Sequence, residues 1–467
     1  MMDRVRNMSF VPAIHAAGGE VFFVGGCVRD SFMNRPSKDV DLLVRGLPIE
    51  SLEALLAQHG DVDLVGKSFA VLKFVPLGER DVIDIALPRF DSYSSPAHRN
   101  VEVRHDHTAK VEDDLARRDF TINAVALPLA RPGEIVDPFN GLRDLRCRLV
   151  RMVYPNSFKD DALRMLRAIQ FAARFNFTLE ENTFRAMQEE APKIRWVSGE
   201  RVAEELLKVL RAPKPSVGFR LMRDVGLLQH VLPEVHALIG VEQPRKHHSL
   251  DAFDHVMTVV DAARADRELE NPGDVNLMLA ALFHDLGKPP TYTNEGGGNI
   301  HFHGHQHVSE ALTKKVLKRI PFHAVDPKVD PQRVLRDVKM HMDLATHPEE
   351  RDKMTDRALR RLIVRAGGPD GMRGLIDLRL ADKRGGVNPN NVGWILEFRR
   401  FVDNFVNREE PFSLKQLAVN GSDVMEILGI PPSKKVGEVL NALFEKVVDG
   451  DLPNDRAVLA EAVKQFV

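Results

Sequence analysis

Asp39 and Asp41, in Lys38-Asp39-Val40-Asp41-Leu42-Leu43, are the residues of this sequence with the clearest capacity for chemistry. On a strand the side chains at i and i+2 share a face, so both carboxylates point the same way while Val40 packs behind. Adjacent carboxylates repel unless something positive sits between them, and hard divalent cations such as Mg²⁺ take oxygen ligands of this kind. Two such ions could activate a hydroxyl nucleophile and steady a departing pyrophosphate. A lone Asp-x-Asp is more often a solvated strand end, but a third acid changes the balance. Asp84, in Val82-Ile83-Asp84-Ile85, is flanked by isoleucines, where a free carboxylate is costly unless paired or metal-bound. Upstream, Val24-Gly25-Gly26-Cys27-Val28-Arg29 carries a strand through two glycines into a helix start. Glycines there let backbone N–H groups approach phosphate oxygens, and Arg29 lies one turn further in. Taken alone, Gly-Gly before a helix is most often only a turn.

The elements that must position these residues read as a mixed α/β segment followed by a long helical one. A weakly amphipathic helix is expected over 3–17, strands over 21–24 and 40–44, and a helix near 49–58. Further strands are expected over 70–75 and 82–87. After Arg151 helical periodicity takes over, with helices over 161–175, 183–190 and 199–210 and a break at Pro213 and Pro215. Asp161 and Arg164 lie three apart in the first of these, so they share a face that Arg167 extends by a turn; an ion pair on a wet helix has the same spacing. With 467 residues, 43% hydrophobic and 28% charged, the chain is a multidomain globular protein, not a disordered or fibrous one. Lys plus Arg number 65 against 67 Asp plus Glu, so a nucleic-acid partner must meet a local basic surface. No apolar run approaches the ~20 residues that span a bilayer, and no membrane partner is expected. Cys27 and Cys147 are the only cysteines, too few for a disulfide framework, which points to a reducing cytoplasm.

The order Gly-Gly-x-Val-Arg-Asp, a short helix, then Lys-Asp-Val-Asp resembles the nucleotidyltransferase superfamily that includes DNA polymerase β. More narrowly it resembles the bacterial class II tRNA nucleotidyltransferases (CCA-adding enzymes) and their poly(A) polymerase relatives. Three further segments match in order: Glu112 to Ala124 around Arg117-Arg118-Asp119-Phe120, Val136 to Leu142, and Asp160 to Ala168. The resemblance implies that Gly25, Gly26 and Arg29 hold the nucleotide and that Asp39 and Asp41 bind Mg²⁺. It makes Asp84 the third catalytic carboxylate and Arg118 a nucleotide contact. Arg117 by itself reads as a helix-surface charge, and Asp119 and Asn123 as organisers of the loop. Asp160-Asp161-Ala162-Leu163-Arg164 resembles the family's Glu-Asp-x-x-Arg template. Cytosine and adenine each present an amino donor beside a ring-nitrogen acceptor, which an Asp–Arg couple complements; guanine and uracil place a carbonyl and an N–H there. Arg167 is the third expected contact of this group. Two positions depart from the pattern: Asp160 replaces a glutamate, and Gln170 sits where an arginine often lies. Ser198, opening the next matched motif, reads as a helix N-cap.

The 18 histidines cluster in the middle of the chain. His255, with His284-Asp285 in Leu282-Phe283-His284-Asp285-Leu286-Gly287-Lys288, resembles the HD metal-dependent phosphohydrolase superfamily. His-Asp adjacency within a helix, joined by a distant His, can supply three ligands to one divalent metal. His341 and Asp343 are candidates for the closing ligand, and His305 is the member of the 301–307 run expected to face the site. His247, His248 and His323 read as surface residues. The segments 420–425 and 434–440 resemble the helical C-terminal module of HD-containing members, where Lys434 and Lys435 could grip phosphates.

The expected architecture is α+β: a polymerase-β-like head with a mixed sheet over 1–150, then an elongated all-α body. That body divides into a helical neck carrying the template over 151–245, an HD domain over 246–350 and a tRNA-binding tail over 351–467. The expected function is template-independent addition of CCA to tRNA 3′ ends from CTP and ATP, with Mg²⁺ as cofactor and a second, transition-type divalent metal in the HD domain. The alternatives are CC addition, A addition, a poly(A) polymerase, or an enzyme that is chiefly an HD phosphohydrolase acting in cyclic-phosphate RNA repair.

Overall fold

The computed structural model describes residues 2–37, 39–65, 71–93, 101–244, 250–296, 299–344, 353–408 and 411–466. Lys38, Ala70, His247 and His248 therefore lie outside the described residues. The chain forms two compact units, one of residues up to 212 together with 217–231, the other of 213–216 together with 232–467.

The first unit is built on a sheet whose strands are β1 (Glu20–Val24), β2 (Val40–Arg45), β3 (Gly60–Val65), β4 (Val71–Pro76), β5 (Ile83–Ala86) and β8 (Ala126–Pro128). A separate hairpin pairs β6 (Arg89–Tyr93) with β7 (Val101–His105). The sheet order is β3-β4-β5-β2-β1-β8. Only β2 and β5 run parallel, so the sheet is mixed, as expected. Strand β1 reads as an unbroken apolar run because both its faces are covered. Val21 and Phe23 join one core with Ile14, Leu42 and Leu52, whereas Phe22 and Val24 join another with Leu43, Leu115 and Ala126. The β2–β5 register sets Asp41 beside Asp84 on one face of neighbouring strands.

Three departures from the expected elements have local causes. The helix expected over 3–17 is two helices, Met2–Arg6 and Phe10–Ala16. Pro12 has no N–H to donate back one turn, so it is accommodated only in the first turn of a new helix. Strand β3 was not expected, because Asp61 and Asp63 are poor strand formers; it lies at the sheet edge, where both acids are exposed. The helix expected from Asp161 begins at Leu163, and Asp161 itself is extended, at φ −142° and ψ 103°, after the short helix Ser157–Asp160.

The second unit is helical. Its HD portion packs Ala252–Ala265, Val275–Phe283, His305–Arg319, Pro331–Met340 and Pro369–Arg384. His284 and Asp285 lie in the turn just past Phe283, not within the helix as expected. Pro289 and Pro290 follow within two turns, where a helix cannot continue through them. The final helices, Gly421–Leu428, Lys434–Val448 and Arg456–Val463, enclose Val424, Leu443 and Leu459. Lys434 and Lys435 are exposed at the start of the second.

Candidate active site and HD centre

A cavity of about 570 Å³ opens in the first unit. Its lining brings together Gly25, Gly26, Arg29, Asp41, Arg118, Asp161, Arg164 and Arg167, segments up to 142 residues apart in the chain. Gly25 sits at φ 73° and ψ −135°, a region open to glycine alone. A Cβ there would lie 3.2 Å from Asp41 Oδ2 and 3.1 Å from Arg118 Nη1, so the missing side chain is what lets backbone, acid and guanidinium converge. Burial raises the Asp41 carboxyl; the Arg118 charge opposes this, and the neighbouring Asp84 and Asp39 carboxylates raise it further. The Asp84 and Asp39 charges thus add to the cost of ionising Asp41, a cost that a hard divalent cation held among the three carboxylates would relieve.

Asp84 reaches this group for a different reason than its neighbours in sequence suggest. Ile83 and Ile85 are buried, but alternate side chains of a strand face opposite ways, so the isoleucines do not surround the carboxylate. Asp84 is half-exposed beside Lys73, 3.7 Å away, and what places it is the register with Asp41. Asp39 precedes β2 and is exposed, with its backbone carbonyl accepting a hydrogen bond from Ser37 Oγ at 2.8 Å.

Arginines dominate the remaining wall. Arg29 is buried, donating to Asp30 Oδ1 at 2.8 Å and Asn123 Oδ1 at 2.7 Å, with its guanidinium over the rings of Phe171 and Phe175. Burial lowers its pKa, although Asp30 pulls the other way. Arg118 donates to Asp114 Oδ2 at 2.9 Å and to the carbonyl of Asn123 at 3.4 Å. Burial would raise the Asp114 carboxyl, but Arg118 and Arg117 outweigh it and hold it below its ordinary value. Arg117 departs from the expected helix-surface charge: it is mostly buried against Asp114 and lines the cavity. Asp119 accepts from Phe120 N, Asn123 Nδ2 and Arg167 Nε at 2.8–2.9 Å, so it ties the loop to the neck helix.

Asp161 and Arg164 do not share a helical face, yet both line the cavity. Asp161 accepts from Leu163 N at 3.0 Å through Oδ1 and from Arg201 at 2.9 Å through Oδ2. Arg164 is buried and donates to Tyr154 Oη at 2.8 Å, Ser157 Oγ at 2.9 Å and the carbonyl of Arg117 at 2.9 Å. Tyr154 in turn donates to Asp160 at 2.8 Å, so the first acid of the motif braces its arginine through a phenol. Ser198 caps the helix Gly199–Leu210, accepting from Arg201 N. Four lining cations escaped the sequence reading: Arg89, Arg174, Arg201 and Lys208. With them the wall carries nine basic side chains against three carboxylates, a surface for a polyanion.

In the second unit six side chains converge. His255, His284 and Asp285 form one buried group able to hold a metal, and Asp285, His305 and His341 form another. His305 faces the centre, as expected. Asp343 does not: it is exposed and pairs with Arg365 at 3.4 Å. The carboxylate that closes the His255–His284 side is Asp382, unmarked in the sequence reading, with Oδ1 3.1 Å from His255 Nε2 and 3.7 Å from His284 Nε2. Burial would raise the Asp285 carboxyl, but the His284 and Lys288 charges hold it well below the carboxylate range. Burial pushes His341 down to about 3, so its ring is neutral and available as a ligand.

The Poly A polymerase head-domain model matches residues 21–151, and the model for the RNA- and SrmB-binding site of polymerase A matches 176–239. An HD domain matches 236–367 and a tRNA nucleotidyltransferase domain 2 model matches 410–463. The A-adding tRNA nucleotidyltransferase of Deinococcus radiodurans is 33% identical over 365 residues, covering 75% of this chain and 79% of that protein. The chain belongs to the tRNA nucleotidyltransferase family. A multifunctional CCA protein of Xanthomonas campestris pv. campestris (strain B100) is 34% identical over 376 residues, 78% of this chain and 85% of that one. The fold is also that of the Bacillus stearothermophilus CCA-adding enzyme solved with CTP, at a TM-score of 0.63 and 23% identity over 98% of this chain and 95% of that one. As a tRNA nucleotidyltransferase with an HD domain, the chain places its Gly-Gly turn, Asp41 of its paired acids and its Asp–Arg motif around one basic cavity. Asp382 lies beyond the stretch that the HD model covers, so only the folded chain brings it to the centre. Among the described residues no helix is long and apolar enough to cross a membrane.

Proposed function

We propose that the protein adds C, C and A to the 3′ ends of tRNA from CTP and ATP in the cytoplasm, selecting each nucleotide with side chains instead of a nucleic-acid template. The observation that carries this reading is the cavity that joins Asp41, in register with Asp84, to the Asp161–Arg164 couple. Mg²⁺ held by Asp39, Asp41 and Asp84 would supply the Lewis acidity that activates the RNA 3′-hydroxyl and neutralises the departing pyrophosphate. The residues of the chain do the rest. Arg29 and Arg118 hold the triphosphate so that its α-phosphorus faces the hydroxyl, and the backbone at Gly25 and Gly26 lets the phosphates come close. Asp161 accepts from the exocyclic amino group of cytosine or adenine while Arg164 donates to the ring nitrogen. Arg167, locked to Asp119, fixes the neck helix against the loop that carries Arg118. The head over 1–150, the template-bearing neck over 151–245, the HD domain over 246–350 and the exposed Lys434–Lys435 turn of the tail over 351–467 are assigned these tasks, the tail gripping tRNA phosphate. The deciding assay supplies tRNA transcripts ending before CCA, after C and after CC with each nucleotide singly and together. Stepwise extension to CCA is expected; extension only of the CC-ended transcript would make the protein an A-adding enzyme, and none at all would refute the proposal.

Gln170 offers a separate check on the cavity. Its Nε2 is buried and has no hydrogen-bond partner among the described residues, although the side chain lines the cavity. A buried donor left unmade costs about 1–3 kcal/mol, and a bound nucleotide or primer would satisfy it. Gln170→Leu should therefore raise KM for nucleotide or tRNA by roughly tenfold without unfolding the protein. Unchanged steady-state kinetics would take Gln170 out of the ligand contacts.

The His–Asp cluster of the second unit favours a second activity, metal-dependent phosphate release by the HD domain. His284→Ala should remove hydrolysis of a 2′,3′-cyclic RNA end to its phosphomonoester, and release of phosphate from that monoester by a second water, while leaving incorporation intact. Absence of any release by the parent protein would make the HD domain structural.

A further inference from the structure

We infer that Arg35 and Arg174 form a phosphate site at the mouth of the cavity, one that grips the RNA strand just behind its 3′ end. The site presupposes that an RNA terminus enters the cavity, as the proposed function requires. Phe175 closes the neck helix Leu163–Phe175 and is buried. Three guanidinium groups gather on its ring: the Cζ atoms of Arg29, Arg35 and Arg174 lie 4.8, 5.0 and 5.1 Å from the centroid. Phe171, one turn back, stacks on Phe175 at 5.8 Å and lies 5.1 Å from Arg29. Aromatic faces attract cations and hold them in place without neutralising them. A helix C-terminus also favours a cation, but here the ends of two different helices, Gly26–Phe32 and Leu163–Phe175, bring theirs to one ring.

Only Arg29 of the three has an acid of its own, Asp30, at 2.8 Å. Arg35 and Arg174 are exposed, and among the described residues neither forms an ion pair. Each stands about 5 Å from the same ring, so their Cζ atoms are at most about 10 Å apart. That is close to the Debye length at physiological salt, and the two charges repel. The effect reaches inward as well. Burial first, and the Arg174 charge after it, lower the Arg29 pKa against the pull of Asp30. An anion seated between Arg35 and Arg174 relieves this repulsion, and a phosphate accepts paired, charge-assisted hydrogen bonds from guanidinium.

The position of the pair indicates which phosphate. Arg174 lines the cavity and Arg35 lies outside its lining, so the two lead from the cavity outward. A mononucleotide ends within the cavity, where Arg29 and Arg118 meet its triphosphate. An RNA strand whose 3′-hydroxyl reaches Asp41 carries its preceding phosphates across the mouth. Contacts to those phosphates position the strand and read no bases, so the same pair serves ends that finish in C and in CC.

The test measures binding of a 5′-labelled tRNA transcript ending after CC to the full-length protein across a salt series, with no nucleotide present. Arg35→Gln and Arg174→Gln should each weaken binding by roughly tenfold and reduce the slope of log K against log salt by about 0.7. Affinity for CTP without RNA should stay within about twofold of the parent's. Arg35→Lys and Arg174→Lys keep the charge and should keep the slope. A transcript whose last two internucleotide phosphates are uncharged methylphosphonates should bind the parent more weakly than ordinary RNA, and the doubly substituted glutamine variant no more weakly. An unchanged slope in that double variant, a loss of CTP affinity as large as the loss for RNA, or a parent indifferent to the methylphosphonates would overturn the inference. If a variant does not fold, the methylphosphonate result on the parent decides. A parent that binds RNA in this way but never extends it would defeat CCA addition and leave the phosphate site standing.

Discussion

Asp41→Asn should abolish nucleotide incorporation, with kcat falling by roughly 10³-fold or more, because it removes the carboxylate at the centre of the three-acid group. Loss of activity by itself could mean loss of fold, and the electrostatics separate the two. The Asp41 pKa is raised in the folded protein, by burial first and then by the Asp84 and Asp39 charges. A carboxyl whose folded pKa exceeds its unfolded value gives a folded state that binds more protons between the two values. Stability therefore falls as pH rises through that window, and at neutral pH the ionised group is a cost. In metal-free buffer Asp41→Asn should melt at or above the parent's temperature, with a weaker loss of stability from acid to neutral pH. Adding Mg²⁺ should raise the parent's midpoint and leave the variant's unmoved. An inactive variant that also melts well below the parent would point to a structural role for Asp41.

Asp161→Asn should relax the choice of base. The substitution keeps the size of the side chain and turns one acceptor into an amide donor, which can bond the carbonyl that uracil presents where cytosine has its amino group. Discrimination resting on unmatched polar groups is strong, so the ratio of kcat/KM for CTP over UTP should narrow by about 10²-fold. Arg164→Ala is the less clean probe, because it also strips partners from Tyr154, Ser157 and the Arg117 carbonyl. Arg201→Ala should narrow the same ratio less, since Arg201 acts on base choice through Asp161, lying 2.9 Å from its Oδ2. A CTP preference unchanged in Asp161→Asn would remove the couple from base selection.

The sequence was most legible where chemistry is written in short spacings. Gly25-Gly26, Asp39-Val40-Asp41 and His284-Asp285 each announce themselves within a few residues, and the apolar run at 21–24 showed the strand that carries the first of them. Local geometry is a weaker guide to what surrounds a side chain. The isoleucines that flank Asp84 in sequence face away from it in the strand. The spacing of Asp161 and Arg164 matches a helical period, but the helix is broken between them.

What the sequence by itself determined is the kind of side chain available and the small backbone spaces that admit it: a glycine at 25 where a Cβ would crowd Asp41 and Arg118, acids at strand spacing, histidines beside aspartates. What only tertiary structure decided is which distant charges share a volume. Arg174, Arg201 and Lys208 look like ordinary helix-surface cations until the neck helices close them around the cavity. Asp382 lies 97 residues past Asp285 on a helix with no motif to mark it, and meets His255 only where Ala252–Ala265 packs on Pro369–Arg384. The reason is physical: local spacing fixes what a residue's neighbours along the chain can do, whereas long-range placement follows from burial of apolar faces, which carries no record of the charges it brings together.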